Sequence, residues 1–486
     1  MDTDPSFSSW YRLIGVASLL FLLLPRLSAT SVDAQIEAQV DRIIAFAEEE
    51  VKERLQLLDQ SLLEHRLDAT VRKLIATHLR YPAQTSRNLG RAIAYFPIFE
   101  AELAAAGMPA TLKYLPVIES ALLANAISRV GAEGLWQFMP ETAPEYGLTI
   151  DHYLDERLDT YRATQGAIRY LQSAYEYLGD WSLAIAAYNA GKGSVRRAQR
   201  RSGGKNFWAV RRYLPRETRN YVPAFIAAIY LTEFYAAHEI TPTFPSLDEQ
   251  LVERMIIEVP LSFYRIAQVT GLSIELIQNL NPGYKKGYLP AYPGGHNLIL
   301  PQRVIPAMNT YLEEYGQVED EPVLPWAPIF KLDDYQPNDQ EDYRSFTTLV
   351  VSGDSLSSVA GRLSFSSSQL AIWNNISPLD SLVEGQKLRF FRPVRFHNTP
   401  SREVMNNKWR APLLSSDGLA STQFTEMTAL PAEVKVKICF QLDRRTKPSE
   451  ILARFPEVDN ERFFQQNDIS KDRALRAGSL IYLPSF

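Results

Sequence analysis

The spacing of apolar residues along the chain changes near residue 240. Before this point they recur every three to four positions, as in Ile36, Val40 and Ile43, which is the period of a helix with one buried face. The pattern predicts helices over residues 34–79, 93–106, 161–178, 183–190 and 221–237. Pro82 and glycine-containing turns separate these segments, so the first half of the chain is predicted to be all-helical.

Beyond the proline-containing linker at 241–245, the pattern becomes strand, helix, helix, strand, and this order occurs three times. A second proline-rich linker is predicted at 322–337, and a polar stretch at 398–428 precedes the last copy. Three copies of a unit of about fifty residues are an internal repeat. The predicted α+β modules span residues 250–303, 346–394 and 433–486.

The N-terminus carries a short apolar run, residues 13–24, preceded by Arg12. It is too short to span a bilayer comfortably but suits the core of a signal peptide, and Val32-Asp33-Ala34 offers a small-x-small cleavage site. Asp2 and Asp4 weaken the positive flank, so an uncleaved anchor with membrane association stays open. Residues 1–34 are therefore predicted as signal peptide or anchor, and 35–109 as an N-terminal helical region.

Composition narrows the function classes further. A length of 486 residues predicts two to four domains, and a net charge of −5 argues against a dedicated nucleic-acid binder. Cys439 is the only cysteine and is predicted to be a buried strand residue, so the chain has no intramolecular disulfide. The six histidines are scattered. We therefore predict no metal site and no cofactor.

One carboxylate stands inside an apolar run: Glu119 follows Val117 and Ile118 and precedes Ala121-Leu122. Burial disfavours the charged form, so such a carboxyl is either paired or protonated at neutral pH. A protonated carboxyl can act as a general acid towards a leaving oxygen. The structural alternative is a buried Glu satisfied by a neighbouring helix.

Four motifs in order favour the catalytic interpretation: Glu119-Ser120, Gly134-Leu135-Trp136-Gln137, Ala187-Tyr188-Asn189-Ala190-Gly191 and Pro215 to Val222. Together they resemble the lytic murein transglycosylases of the soluble and membrane-bound D types, over residues 72–237. The resemblance implies a multidomain chain whose all-α, goose-type lysozyme-like catalytic domain covers 110–240. It also implies an exported protein of the periplasm or cell envelope.

The resemblance implies a mechanism with a single catalytic carboxylate, Glu119. The muramoyl C6 hydroxyl attacks C1, and the same Glu first protonates the glycosidic oxygen and then takes the hydroxyl proton, leaving a 1,6-anhydromuramoyl end. The implied substrate-binding residues are Ser120, Ser128, Gln137, Met139, Tyr188, Asn189, Glu217 and Tyr221. For Glu217, a salt bridge to the surrounding arginines stays open as the alternative.

The repeated modules resemble LysM (lysin motif) modules, which bind glycans containing N-acetylglucosamine. The middle copy carries the clearest motif, Val350-Val351-Ser352-Gly353-Asp354-Ser355-Leu356, followed by Trp373-Asn374-Asn375. Both outer copies lack the Gly-Asp-Ser turn, so whether they bind glycan stays open. The implied partner is the peptidoglycan glycan strand, with no nucleic acid.

Two alternatives to a transglycosylase remain at this stage. A hydrolytic muramidase generally needs two carboxylates, and the nearby Glu133, Glu141 and Glu145 are predicted to be solvated. A non-catalytic wall-binding scaffold would not need an intact site. The arginine-rich segment 192–219 is predicted to be a solvated helix face, with attraction to the carboxylates of peptidoglycan stem peptides as its functional alternative.

Overall fold

The computed structural model describes residues 48–315, 329–332, 339–396, 436–441, 447–452, 460–467, 469–471, 474–475 and 480–483. The predicted signal peptide or anchor and its cleavage site lie outside these residues. Within the described ranges, no helix has both the length and the apolar character to cross a membrane. The chain divides into two compact units. The first holds the described residues up to Asp151, then Asp155–Pro245 and Ser345–Phe391. The second holds His152–Leu154, Ser246–Arg344 and the described residues from Arg392 onward.

The N-terminal half of the first unit is helical, as predicted. Its α-helices are α1 Glu48–Leu57, α2 Ala69–Arg80, α3 Pro82–Ala105, α4 Leu115–Ser120, α5 Thr160–Leu178, α6 Trp181–Ala190, α7 Lys192–Ser202, α8 Phe207–Val210 and α9 Thr218–Glu233. Single 3-10 turns cover Ala110–Tyr114, Ala143–Tyr146, Arg211–Tyr213 and Ala236–His238.

The helix predicted over 34–79 is wrong in its middle, because residues 58–68 leave the helical conformation between α1 and α2. Side chains there bind the backbone in place of the helical ladder: Asp59 accepts from the Ser61 amide, and Gln60 donates to the Leu55 carbonyl. Asp68 then caps α2 by accepting from the amides of Thr70 and Val71. Residues 34–47 lie outside the described part.

The core of this unit forms around α9, whose residues are buried along nearly its whole length. It packs against α2, α4 and α6. A helix that is apolar on all sides is a central one, which matches this position. Rings of Phe96, Phe99, Tyr114 and Trp136 continue the core towards α4, with centroids 5.4 Å apart in the Phe99–Trp136 pair.

The rest of the chain alternates strands and short helices. The strands are β1 Val252–Ile257, β2 Leu261–Ser262, β3 Tyr288–Leu289, β4 His296–Pro301, β5 Ile329–Leu332, β6 Tyr343–Leu349, β7 Lys387–Pro393, β8 Val436–Gln441 and β9 Leu480–Leu483. The helices are α10 Leu247–Gln250, α11 Phe263–Thr270, α12 Ile274–Leu280, α13 Ile305–Tyr315, α14 Asp339–Asp342, α15 Leu356–Leu363, α16 Ser367–Asn374, α17 Pro448–Leu452 and α18 Asn460–Asn467, with a 3-10 turn at Gln302–Val304.

The first module contains the predicted strand, helix, helix, strand order in β1, α11, α12 and β4, with β1 antiparallel to β4 from Val252↔Pro301 to Ile257↔His296. It also has a short antiparallel pair that was not predicted, β2 with β3. Asn281 joins the end of α12 to this sheet: its Nδ2 donates to the Ile299 carbonyl at 2.8 Å, and its Oδ1 accepts from the Ile299 amide at 2.8 Å. This Asn thus acts like an extra strand residue beside β4.

The middle module pairs β6 with β7 and folds α15 and α16 over them. Its core contains Val359, Trp373 and Leu388, all buried. Within the first unit, α16 packs against α3 of the helical domain. The side chain of Lys113 donates to Ser368 Oγ at 2.8 Å across this contact and to Glu100 Oε1 of α3 at 2.6 Å within the helical domain.

The third module also has strand, helix, helix, strand order, with β8 antiparallel to β9. Cys439 lies in β8 opposite Tyr482, which agrees with its predicted strand position. The linker predicted at 322–337 is wrong in part, because it contains β5, which pairs with β8 from Ile329↔Cys439 to Leu332↔Val436. Its four residues, Ile-Phe-Lys-Leu, suit a strand, but the pairing joins segments more than a hundred residues apart.

Candidate active site

Glu119 lies near the end of α4, a short helix in which Pro116 is the second residue. The helix stops because Ala121 and Leu122 adopt left-handed backbone angles, with φ of +52° and +60°. Non-glycine residues in this region cost about 1 kcal/mol each and persist only where surrounding contacts hold them. The chain therefore turns sharply just after Glu119 and keeps its carboxyl inside the core, 3% exposed.

Burial raises the pKa of Glu119 to about 7, and a hydrogen bond from Tyr221 partly offsets this rise. The Tyr221 hydroxyl, from the second turn of α9, donates to Glu119 Oε1. At neutral pH the protonated and ionised forms are therefore both populated. A carboxyl in this state can give up a proton and take one back without a large energetic cost in either direction.

A loop at 131–140 lies beside Glu119 and is fixed by Arg157. Arg157 binds Asp155 through two nitrogens and donates from Nη1 to the Gly131 carbonyl at 2.8 Å. It also forms an ion pair with Glu133 at 3.1 Å. Gly134 is required here: at a φ of +81°, a Cβ would lie 2.0 Å from the Arg157 carbonyl oxygen. This close approach leaves no room for a side chain at position 134.

Gln137 is held in a left-handed conformation, with φ of +50°, at the centre of the same loop. Its Nε2 donates to the carbonyls of Gly134 at 2.9 Å and Ala126 at 3.2 Å, which fixes the orientation of the amide. Its Oε1 is buried and accepts no hydrogen bond in the described part of the chain. A buried acceptor without a partner is costly, and a hydroxyl or N–H group of a ligand would satisfy it.

Four aromatic rings form one side of the site. Tyr188 packs edge-on against Tyr170, with centroids 5.1 Å apart, and against Phe138 at 6.3 Å, and it lies 6.4 Å from Trp136. Its hydroxyl donates to the Trp136 carbonyl at 2.9 Å. Burial raises the pKa of Tyr188 and the charge of Glu119 raises it further, so the two side chains are close enough to interact.

Two residues of this aromatic side of the site, Tyr170 and Trp136, were not predicted as site residues. Trp136 donates to Thr164 and is fully buried, while Tyr170 donates to the Ala187 carbonyl. Tyr170 falls on the buried face of α5, where helical periodicity predicts only a core residue. Its contact with Tyr188 depends on how α5 packs against α6.

Both predicted substrate-binding serines form hydrogen bonds with the protein backbone. Ser120 is fully buried, and its hydroxyl lies 2.9 Å from the Leu135 carbonyl and 3.1 Å from the Pro116 carbonyl. Ser128 is half-buried and accepts from the Ala132 amide at 2.9 Å. These contacts favour a structural role for Ser120, which positions α4 against the loop, rather than the substrate contact predicted from the sequence.

The remaining predicted residues lie at the edges of the site. Met139 is half-buried at the end of the loop, and its carbonyl accepts from the amides of Thr142 and Ala143. Asn189 accepts from the Thr218 hydroxyl at 2.8 Å, which joins the end of α6 to the start of α9. Glu217 is exposed and forms no ion pair with a described residue, so the salt bridge that was its alternative is not observed.

No second carboxylate influences Glu119 within the described part of the chain. Burial and the Tyr221 hydrogen bond are the causes of its pKa shift, whereas a neighbouring carboxylate would raise the pKa further. Of the three acids nearest in sequence, Glu141 and Glu145 are exposed, and Glu133 is paired with Arg157. The arrangement therefore offers one carboxyl group suited to acid–base chemistry.

Three segments of the chain match known domain families. Residues 96–210 match the transglycosylase SLT domain, 252–316 match the LysM-like domain of lytic transglycosylase MltD, and 349–391 match the LysM domain. The predicted resemblance is thus confirmed, and the chain combines an SLT domain with two LysM-type domains.

Two curated relatives match part of the chain. The chain is 30% identical over 289 residues to membrane-bound lytic murein transglycosylase D of Escherichia coli K12, which covers 58% of this chain and 60% of that protein. A putative tributyltin chloride resistance protein of Alteromonas sp. strain M-1 is 36% identical over 109 residues, covering 22% of this chain and 53% of that protein. The chain thus spans less than two thirds of the length of either relative.

Solved structures with partial overlap include two lytic transglycosylases. An inactive mutant of Slt from Pseudomonas aeruginosa is 23% identical with a TM-score of 0.27, covering 43% of this chain and 38% of that one. The 70 kDa soluble lytic transglycosylase of Escherichia coli is also 23% identical with a TM-score of 0.27, covering 43% and 37%. At these TM-scores the overlaps add nothing to the fold described above.

Proposed function

We propose that this chain is a lytic transglycosylase that cleaves the β-1,4 bond between N-acetylmuramic acid and N-acetylglucosamine in peptidoglycan. The SLT domain and the D-type relative support the reaction class. The observation that carries the proposal is Glu119, a buried carboxyl whose pKa is raised to about 7 and which Tyr221 holds in place. Its substrate lies in the cell envelope, where we place the protein.

A single acid–base group is sufficient if the substrate supplies its own nucleophile. Protonated Glu119 donates its proton to the glycosidic oxygen, and the bond from that oxygen to C1 of the muramoyl residue breaks. The resulting carboxylate takes the proton of the muramoyl C6 hydroxyl, whose oxygen bonds to C1. Glu119 ends protonated, as it began, and the product carries a 1,6-anhydromuramoyl end.

The surrounding residues then have distinct tasks. Tyr221 orients the Glu119 carboxyl, and its hydrogen bond stabilises the ionised form between the two proton transfers. The free Oε1 of Gln137 is a suitable acceptor for a sugar hydroxyl or an N-acetyl N–H. The rings around Tyr188 exclude water from the reaction, which favours attack by the sugar hydroxyl over hydrolysis.

We further propose that the middle LysM module holds the glycan. Val351 and Val383 are exposed beside the turns at Gly353 and Gly385, and backbone hydrogen bonds from Val350 to 385–386 join the two loops. Such an apolar patch suits the flat faces of sugar rings. Trp373 is 2% exposed and packs in the core of the module against Phe365 and Phe391.

Product analysis of purified protein on isolated peptidoglycan tests the catalytic proposal. Glu119→Gln should lower turnover by at least about 10²–10⁴-fold, because Gln keeps the shape of the side chain but cannot exchange a proton. The matched control is Glu141→Gln, which removes an exposed acid with the same change in charge. Wild type and control should release anhydro-ended fragments by mass spectrometry.

Two results would contradict the proposal. Near wild-type turnover by a folded Glu119→Gln variant would remove Glu119 from the reaction. Reducing ends in the digest, together with loss of activity in Glu133→Gln, Glu141→Gln or Glu145→Gln, would indicate a two-carboxylate hydrolase instead.

A further inference from the structure

One arginine of α3 binds the backbone of the turn that follows Glu119. Arg91 Nη1 donates to the Ala121 carbonyl at 3.1 Å. Ala121 is the first residue after α4, and with φ of +52° it starts the sharp turn that keeps Glu119 inside the core. Ala121 is 7% exposed, and its carbonyl accepts no backbone hydrogen bond within the described part of the chain. Arg91 therefore satisfies a buried carbonyl that the turn leaves without a helical partner.

The guanidinium group of Arg91 has no carboxylate partner among the described residues. Burial lowers the pKa of Arg91, the neighbouring Arg87 lowers it further, and only Tyr95 raises it. Burying part of a cation without an anion beside it costs free energy. The contact with the Ala121 carbonyl is the hydrogen bond that offsets this cost and fixes the side chain.

The same face of α3 also contacts the second segment of the site. Tyr95 and Phe99 follow Arg91 at intervals of four residues, so the three side chains share one face of the helix. Tyr95 stacks on Phe99 with centroids 6.2 Å apart, and Phe99 packs against Trp136 at 5.4 Å. This face of α3 therefore reaches both the turn after α4 and the loop at 131–140.

Arg91 does not act on Glu119 through its charge. Burial and the Tyr221 hydrogen bond shift the pKa of Glu119, and the charge of Arg91 is not among the causes. Within the described part of the chain, the other titratable groups on this side are Tyr188 of α6 and Tyr170 of α5, which packs on it. Burial raises the pKa of all three tyrosines, so they are uncharged at neutral pH. A pKa of Glu119 that changes when Arg91 is replaced thus indicates that the carboxyl has moved.

We propose that Arg91 is a positioning residue: by holding the turn after α4, it keeps the Glu119 carboxyl within reach of the Tyr221 hydroxyl. The proposal rests on the proposed function and deepens it, since it adds a residue that the reaction needs but that touches no substrate. Arg91 precedes residues 96–210, the segment that matches the SLT domain, so a part of α3 outside that segment completes the site.

Titration of the Glu119 carboxyl tests this role without turnover. In protein isotope-labelled at the glutamate carboxyl carbons, the NMR signal of Glu119 is assigned by its absence in Glu119→Gln. Arg91→Met removes the donors and keeps much of the side-chain length. It should raise the pKa of Glu119, because the Tyr221 hydrogen bond that lowers this pKa is weakened. In a Tyr221→Phe background, Arg91→Met should cause no further rise, since both changes act on one interaction.

Turnover of isolated peptidoglycan gives the second measurement. Arg91→Met should lower kcat about 10-fold and change KM less than about twofold, since a misplaced acid slows the reaction without weakening the binding of the glycan. Arg91→Lys keeps the charge and an N–H donor and should recover part of kcat. The matched control is Arg87→Met, which removes an exposed arginine one turn earlier on α3 and should leave kcat and the pKa of Glu119 unchanged.

Three results would overturn the proposal: an unchanged pKa of Glu119 in folded Arg91→Met, an equal change in Arg87→Met, or a rise that adds fully to that of Tyr221→Phe. Unfolding in urea shows whether each variant is folded, and Arg91→Lys carries the same titration if Arg91→Met is not. Absent anhydro ends together with a raised pKa of Glu119 in Arg91→Met would contradict the transglycosylase proposal and support this one, so the two failures are distinguishable.

Discussion

Two buried glutamates of the helical domain have nearly the same pKa but different surroundings. Burial raises the pKa of both Glu119 and Glu233 to about 7. Glu233 accepts a hydrogen bond from the Tyr114 hydroxyl. The charge of Lys113 lowers the pKa of Glu233, and the charge of Glu100 raises it. Glu119 instead lies beside the loop that carries Gln137 and its unsatisfied oxygen. A raised pKa alone therefore does not identify the acid–base residue; the neighbouring groups do.

Replacing Tyr221 with Phe should change the pH dependence of the reaction. The Tyr221 hydrogen bond lowers the pKa of Glu119, so its loss raises that pKa, and the protonated acid persists to higher pH. In wild type, kcat/KM should fall as the pH rises through about 7, and in Tyr221→Phe the fall should occur at higher pH. The lost orientation should also lower kcat, by about 10-fold or more.

The pH profile of anhydro product release is the measurement, with Tyr81→Phe at an exposed position as the control. A profile of Tyr221→Phe that coincides with wild type, or moves to lower pH, would show that Tyr221 does not stabilise the ionised form.

At the scale of elements, the site depends on two segments that are not regular helices. The turn after α4 and the loop at 131–140 contain three non-glycine residues with positive φ: Ala121, Leu122 and Gln137. Ser120 joins the two segments through the Leu135 carbonyl, and Arg157 holds the loop from the other side. Backbone strain of this kind is retained when fixed side-chain positions depend on it.

Gly134→Ala should destabilise this loop more than Gly131→Ala. Both positions have φ above +80°, so both variants carry the cost of a left-handed alanine, about 1 kcal/mol. At Gly134 the new Cβ also meets the Arg157 carbonyl oxygen, whereas at Gly131 nothing lies within 4 Å. We expect the free energy of unfolding in urea to fall by about 3 kcal/mol for Gly134→Ala. Equal losses in the two variants would contradict the close approach.

At the scale of the whole molecule, the middle LysM module is part of the first compact unit. Its α16 is buried against α3, and the Tyr235 hydroxyl lies 3.3 Å from the Ala371 carbonyl. Lys113, Glu100 and Ser368 form a joint hydrogen-bonded group in this contact. The module and the helical domain should therefore unfold together.

Ser368→Arg should separate these two parts, because it places a second cation beside Lys113 in a buried contact. Scanning calorimetry should give one transition for the helical domain and module in wild type and two in the variant. Ser357→Arg, an equal change at an exposed position of α15, should leave one transition. Separate transitions already present in wild type would contradict the coupling.

The sequence by itself determined the features that depend on neighbouring residues. Helical periodicity and the strand–helix–helix–strand order of the modules depend on residues within a few positions of one another. The apolar run around Glu119 likewise predicted its burial. The motifs fixed the domain types, because each motif is a contiguous string.

The tertiary structure alone decided the contacts between distant segments. Tyr221 meets Glu119 across 102 positions, β5 pairs with β8 out of a predicted linker, and α16 packs on α3. Arg157 holds the loop at 131–140 by donating to the Gly131 carbonyl, a contact across 26 positions that no local sequence pattern predicts. Such pairings depend on how whole elements pack, since the interaction energies are set by distances in space and not by separation along the chain.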